Sequence, residues 1–328
     1  MMIINDYRTL YAGTRVMVTG AAGFIGRWVA RTLSKHGAIV YPVVRNRTTA
    51  RVIFERYEIT AEPIGADLED TEQIRELVTA LKPEVIFNLV GYGVDRTERD
   101  ERTAYRLNAQ VGFTLCQVLS SQSSSLGRGQ ALVHVGSALE YGFFDGDLTE
   151  DVEPHPTTLY GKSKLLGTQL IAQCCSAYGV RGIVARLFTV YGPGEHEGRL
   201  LPTLLRAAKT QEPIALTTGE QERDFTYVED VAEGLLRLGA TQTGWGEIVN
   251  LASGQLTSVR KFAETAAELL DISSERLVFG ARPPLPEEMH HGVVSTQRLV
   301  DLTGWRLPTQ IREGICRTCE FEELAHAR

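Results

Sequence analysis

Along the first two thirds of the chain, short apolar runs alternate with segments whose apolar residues recur every three to four positions. An apolar run from Arg15 to Thr19 ends in a cluster of glycines, and Phe24 to His36 follows as an amphipathic helix closed by Gly37. A second strand is expected from Ala38 to Val44, then a basic turn at Arg45-Asn46-Arg47, then a third strand ending near Ala66-Asp67. Helix Thr71 to Leu81 leads through Pro83 into a strand from Glu84 to Val90. A helix around Glu101 to Ser120 leads through a Ser/Gly-rich loop into a strand from Ala131 to Gly136, and helix Leu159 to Tyr178 leads into a strand from Gly182 to Phe188. Such alternation predicts an α/β fold, a doubly wound parallel sheet with helices on both faces.

After Tyr191-Gly192-Pro193-Gly194 the rhythm changes to scattered prolines and short helices. The expected organisation is a main domain over residues 1–190, rejoined by 223–252, and a smaller, mainly C-terminal lobe over 191–222 and 253–328. A helix from Val228 to Leu238 and a strand from Ile248 to Leu251 are the elements expected to return to the main sheet. No internal repeat is present, and Ser120 to Ser125 reads as a solvated loop.

Composition narrows the function classes. With 328 residues, 43% of them hydrophobic, the chain has ample material for a large core and a lobe. The net charge of −7, with no basic cluster interleaved with aromatics, argues against nucleic acid as a partner. No apolar run reaches the length of a membrane span, and Met1 to Asp6 lacks the features of a signal peptide, so the expectation is a cytoplasmic protein without a membrane partner. Five cysteines, an odd number without a secreted-domain framework, are expected as reduced thiols. Cys316-Arg317-Thr318-Cys319 is a single CxxC without a matching second pair, so no metal is expected.

Two constellations carry chemistry. Between the first strand and its helix, Gly20, Gly23 and Gly26 have the spacing that permits a tight turn, backbone approach to a pyrophosphate, and close packing of helix on strand. With Phe24 and Ile25 they place a helix N-terminus against the phosphates of a dinucleotide. At the end of the second strand Arg45 and Arg47 stand where a carboxylate would bind the free ribose hydroxyls of NAD, so NADP(H) is the preferred cofactor, with NAD(H) as the alternative. Asp67 and Leu68, at the next strand end, are placed to meet the adenine. The second constellation is Tyr160 and Lys164, four residues apart on one helix face. An ammonium ~4 Å from a phenol, at an effective dielectric of ~20, offers about 4 kcal/mol toward ionisation, enough to bring a tyrosine into the working range of a proton carrier.

Five segments resemble the extended short-chain dehydrogenase/reductases, the group of nucleotide-sugar epimerases, dehydratases and 4-ketoreductases. They are Thr19-Gly-Ala-Ala-Gly-Phe-Ile-Gly26, His134-Val-Gly-Ser-Ala-Leu-Glu-Tyr-Gly142, Tyr160-Gly-Lys-Ser-Lys164, Arg186-Leu-Phe-Thr-Val-Tyr-Gly-Pro193 and Arg223-Asp-Phe-Thr-Tyr-Val-Glu-Asp230, in the family's order. The resemblance implies a Rossmann-type cofactor domain and a lobe that binds a nucleotide-diphosphate sugar. It further implies that Ser137 bonds the reacting oxygen, Tyr160 exchanges the proton, Lys164 tunes Tyr160 and holds the nicotinamide ribose, and Asn108 assists. Arg223 and Arg282 match positions where arginines bind the diphosphate. Thr189 stands where the family usually has Asn, which changes that substrate contact. Dehydratases carry residues resembling Asp-Glu after the catalytic Ser or Thr; Ala138-Leu139 here cannot transfer a proton, and Glu140 is expected as a partly solvated residue. What remains is 4-keto reduction with NADPH or 4-epimerisation with retained NAD, and the arginines favour reduction. A homodimer through the helices carrying Asn108 and Tyr160 is the implied assembly. A dinucleotide-binding regulator without catalysis is the reading from another class.

Overall fold

The computed structural model describes residues 7–95, 97–121, 131–242, 244–283 and 289–326; Met1 to Asp6 and the serine tract beyond Ser121 lie outside them. The strands are β1 (Arg15–Thr19), β2 (Ile39–Val44), β3 (Ile64–Gly65), β4 (Val85–Asn88), β5 (Leu132–Ser137), β6 (Gly182–Leu187), β7 (Thr189–Tyr191), β8 (Ile214–Ala215), β9 (Glu222–Tyr227), β10 (Glu247–Leu251), β11 (Leu256–Ser258) and β12 (Leu277–Val278). The α-helices are α1 (Phe24–Lys35), α2 (Arg47–Arg56), α3 (Thr71–Leu81), α4 (Glu101–Tyr105), α5 (Val111–Ser121), α6 (Leu159–Tyr178), α7 (Leu200–Ala207), α8 (Val228–Ala240), α9 (Val259–Leu269), α10 (Gln297–Thr303) and α11 (Ile311–His326).

Seven strands form one parallel sheet in the order β10-β6-β5-β4-β1-β2-β3. The order reverses at β1, so the crevice beyond the C-terminal ends of β1 and β4 is the topological switch point, where ligands of such sheets bind. Successive strand residues point to opposite faces, and the core divides accordingly. Val16, Val18, Phe87 and Val133 pack with Trp28 and Leu33 of α1 and Leu235 and Leu238 of α8. Met17, Ile86 and Leu132 pack with Ile74 and Val78 of α3, Leu115 of α5 and Ile171 of α6.

The expected doubly wound sheet is therefore present, and α3 and α6 have the expected ends. Asp70 caps α3 through the amides of Glu72 and Gln73, and Gly179, at φ +65°, stops α6. Two stretches depart from expectation. The basic turn at Arg45 to Arg47 is the entry to α2, where the Asn46 side chain accepts the Thr49 amide at 3.1 Å. Only Ala50 and Phe54 of that helix are buried, so little apolar content marks it in the sequence. Within 223–252, β9 does not join the main sheet: it pairs with β7 and β11 in a separate three-stranded sheet, while α8 packs on α1 and β10 adds to the edge of β6.

Between α4 and α5 the chain forms a single π-helical turn, Arg106–Gln110, a distortion often found at functional positions. Helix α6 lies directly on that turn because Gly167 has no side chain; a Cβ there would overlap the Asn108 carbonyl oxygen. Gly167→Ala is expected to cost about 1–3 kcal/mol through forced separation of the helices. Thermal denaturation should show a Tm lowered by several degrees, and an unchanged Tm would mean that α6 does not need this contact.

Candidate active site

The glycine cradle is built as its spacing demands. Gly20 adopts φ +67°, and a Cβ on it would lie 3.0 Å from the Leu89 carbonyl group. A Cβ on Gly26 would overlap the Gly20 carbonyl oxygen, which is how α1 comes to lie against the end of β1. Gly23 is the N-cap of α1 and no side chain caps that terminus, so the amides of Phe24, Ile25 and Gly26 open a bare helix end at the switch point. The donor set suits the phosphates of a dinucleotide: an uncapped helix terminus with its amides and positive partial charge at the switch point. Arg45 and Arg47 are exposed at the end of β2, with the stem of Arg47 lying over Gly65. The Asp67 carboxylate accepts the Glu69 amide at 3.0 Å, and Leu68 beside it is buried.

The ends of β1 and β4 are tied to the middle of β5 by a buried polar chain. Thr19 Oγ1 donates to Asn88 Oδ1 at 2.7 Å, and Asn88 Nδ2 lies 2.8 Å from His134 Nδ1. Burial, then the nearby Lys164, hold the His134 pKa well below the usual histidine range, so the ring is neutral. Ser137 ends β5 in extended backbone and opens a 3-10 turn, Ala138–Glu140, where its hydroxyl accepts the Leu139 amide at 3.2 Å. The first turn of α6 sits on that 3-10 turn, since a Cβ on Gly161 would overlap the Leu139 carbonyl oxygen. Tyr160 is thereby brought beside Ser137, whose side chain acts to lower the tyrosine pKa.

Lys164 is buried, and its Nζ donates to the carbonyls of Val135 at 3.0 Å and Val90 at 3.4 Å. It stands 5.9 Å from the centre of the Tyr160 ring. Burial lowers its pKa to about 8, and Glu140 opposes the fall. The expectation that Lys164 draws the phenol pKa down is not met. Burial first and Glu140 second hold Tyr160 well above the usual range, with the Ser137 hydrogen bond and Arg199 pulling the other way. The physical reason is burial of the phenol, to which Glu140 adds, while the Lys164 ammonium is bonded to the Val90 and Val135 carbonyls.

Glu140 also departs from expectation, being fully buried rather than partly solvated. Its Oε1 accepts the Ser137 amide at 2.8 Å and the Thr168 hydroxyl at 3.0 Å, and its Oε2 pairs with Arg186 Nε at 2.8 Å. The Arg186 guanidinium lies 4.4 Å from the centre of the Tyr141 ring. No sequence signal marks this cluster, because Glu140, in the turn after β5, and Arg186, on β6, are distant in sequence and meet only through the β5–β6 register. Ala138 is buried with Phe188, Ala252 and Met289 in a small apolar cluster beside the site, and Leu139 packs against it.

Asn108 is fully buried in the π turn and spends its amide on neighbours: Oδ1 accepts the Tyr92 amide at 2.9 Å, and Nδ2 donates to the Tyr92 carbonyl and Ser163 Oγ, both at 2.8 Å. It holds the loop that borders Tyr160 at Gly93. Thr189 begins β7, in register with Phe225 of β9, and the partly buried Arg223 lies on β9. Arg282 is exposed, its amide bonded to the Leu216 carbonyl at 2.9 Å. Cys316 and Cys319 are half-buried on α11, and among the described residues no group of three His, Cys, Asp or Glu side chains could hold a metal. No helix is long and apolar enough to cross a membrane among the described residues. The loop after β7 carries Glu195, buried, with Oε1 3.4 Å from Arg199 Nε and Oε2 without a hydrogen-bond partner; burial pushes its carboxyl up to about 7 against the pull of Arg199.

Comparison with known proteins agrees with this geometry. The model of the family described as "NAD dependent epimerase/dehydratase family" matches residues 16–252. The GDP-6-deoxy-D-mannose reductase of Pseudomonas aeruginosa is 26% identical over 312 residues, 92% of this chain and 94% of that protein. The UDP-glucose 4-epimerase of Mycolicibacterium smegmatis is 26% identical over 318 residues, 94% of this chain and 98% of that protein. The structure of MoeE5 in complex with UDP-glucose and NAD superposes with a TM-score of 0.81 at 24% identity, covering 95% of this chain and 99% of that one.

Glu195 makes stability depend on pH. Its folded pKa exceeds that of an unfolded glutamate, about 4.3, so the folded chain holds the proton more tightly and stability falls as pH rises from about 4 to about 7. Glu195→Gln is expected to be more stable than the native protein by about 3–4 kcal/mol at pH 8, with the difference vanishing near pH 4. Urea denaturation at both pH values measures it.

Proposed function

The chain belongs to the NAD dependent epimerase/dehydratase family, and we propose that within it the protein uses NADPH to reduce the C4 keto group of a nucleotide-linked 4-keto-6-deoxyhexose. It is an NAD(P)-dependent enzyme of the nucleotide-sugar group. The observation that carries the finer reading is how few proton carriers the site holds beyond Ser137. Ala138 and Leu139 have no exchangeable proton, and Glu140 is locked to Arg186, Thr168 and the Ser137 amide. Elimination of water by the dehydratase route therefore lacks its acid and base.

When bound in the glycine cradle, a nicotinamide cofactor supplies the hydride. Tyr160, held protonated by burial and Glu140, presents its phenol proton to the oxygen of the reacting carbon. The Ser137 hydroxyl donates to the same oxygen and stabilises the charge that develops there. Lys164 places a positive charge behind both. Arg45 and Arg47 suit the extra phosphate of NADP by charge and planar fork, and Asp67 and Leu68 line the adenine side. Arg223 and Arg282 face the substrate diphosphate in this reading, with Thr189 near the sugar. The proposal includes a cytoplasmic homodimer.

A second reading, 4-epimerisation with retained NAD, is favoured by the likeness to the UDP-glucose 4-epimerase and to the NAD complex of MoeE5. Cofactor extraction separates the two: tightly bound NAD released on denaturation, with two nucleotide sugars interconverted and no NADPH consumed, would overturn the reductase proposal. For the reductase, Tyr160→Phe is expected to lower kcat by about 10²–10⁴. Arg45→Ala with Arg47→Ala is expected to raise KM for NADPH at least about tenfold and leave KM for NADH nearly unchanged, as steady-state kinetics would show.

A further inference from the structure

Tyr160, Lys164 and Thr168 follow one another at four-residue steps and form a single stripe along α6. Glu140 lies against that stripe: it accepts the Thr168 hydroxyl at 3.0 Å and is the first charged group acting on both Tyr160 and Lys164. Its other partners come from β5, through the Ser137 amide at 2.8 Å, and from β6, through Arg186 at 2.8 Å. Closing a 3-10 turn does not require a buried ion pair. Taking a carboxylate and a guanidinium out of water costs several kcal/mol each, and a neutral cap would do that work more cheaply. The Ser137 hydroxyl already bonds the Leu139 amide.

We infer that Glu140 is a positioning residue for Ser137, Tyr160 and Lys164: it fixes the Ser137 turn against α6 and sets a buried negative charge beside the helix stripe that carries Tyr160 and Lys164. The inference rests on the reading of those three residues as the catalytic set. Around Lys164 stand the Val90 and Val135 carbonyls, the neutral His134 ring and Glu140. Around Tyr160 stand Ser137, Glu140, Arg199 and Glu98. Arg186, packed over Tyr141, faces Glu140 from β6. Burial acts to strip the proton from Lys164 and Glu140 acts to retain it. Neutralising Glu140 removes that support and leaves Arg186 as an unpaired cation, and both changes favour loss of the Lys164 proton at lower pH.

Two variants separate the parts of this role. Glu140→Gln keeps the shape and removes the charge, while Glu140→Asp keeps the charge and withdraws the carboxylate from the Ser137 amide. The primary readout is an NMR titration of Lys164 in protein labelled at lysine Cε, which needs neither substrate nor cofactor. In Glu140→Gln the Lys164 midpoint should fall by about one pH unit or more, and the alkaline limb of the pH–rate profile should move with it. In Glu140→Asp the midpoint should stay within about half a unit while kcat falls about tenfold or more. An unmoved midpoint in Glu140→Gln, or a native kcat in Glu140→Asp, would overturn the inference. If Glu140→Gln does not fold, the kcat of Glu140→Asp decides. If the native protein turns over no nucleotide sugar, the functional reading fails and the Lys164 titration alone decides the role of Glu140.

Discussion

The buried ammonium of Lys164 is the group around which the other parts of the site are arranged. Withdrawing such an ion from water costs several kcal/mol unless its three donors find acceptors. Two are carbonyls that the parallel sheet provides at its C-terminal edge, Val135 within β5 and Val90 just past β4. Those carbonyls are where they are because β1 and β4 end in register while β5 runs three residues further, and the Thr19-Asn88-His134 chain ties the three strands together. The same strand ends shape the rest: Thr19 leads into the glycine cradle, Leu89 abuts Gly20, and Ser137 closes β5.

Two glycines of α6 complete the arrangement. Gly161 lets the helix start on the turn after Ser137, and Gly167 lets it pass over the π turn that holds Asn108. Between them α6 is placed so that Tyr160 reaches Ser137 while Lys164 reaches under the sheet edge. The consequence for chemistry is that Lys164 does not act on the phenol through a direct hydrogen bond in this arrangement. Tyr160 keeps its proton, which is the form a donor to a developing alkoxide requires. The tyrosine and lysine are thus neighbours on one helix with separate partners, the one at Ser137 and the other at the backbone.

Much of this was legible before the structure. Apolar periodicity located α1 and α3, and apolar runs the six strands from β1 to β6, because each must bury a face against the sheet. The glycine spacing and the Tyr160/Lys164 pair were readable because both are local in sequence. Helix α2 was not, since it buries only Ala50 and Phe54. Placement of β9 in the small sheet depends on its pairing with β7 and β11, which no local pattern encodes. The pairing of Glu140 with Arg186 is likewise a matter of register between distant segments, and it turned a glutamate expected to be partly solvated into a buried carboxylate with three partners. The partners of Asn108 were not legible either, because the π turn is what directs its amide to Tyr92 and Ser163.

The central claim is that Ser137, Tyr160 and Lys164 serve a net reduction in which hydride comes from a dissociable cofactor and the proton from Tyr160. The most direct test is to supply NADPH deuterated at the transferring position with a nucleotide-linked 4-keto-6-deoxyhexose and to analyse the sugar by mass spectrometry and NMR. The account predicts a product alcohol carrying one deuterium at C4, formed in proportion to the NADPH consumed. Interconversion of C4 epimers with no deuterium incorporated and no NADPH consumed would contradict it.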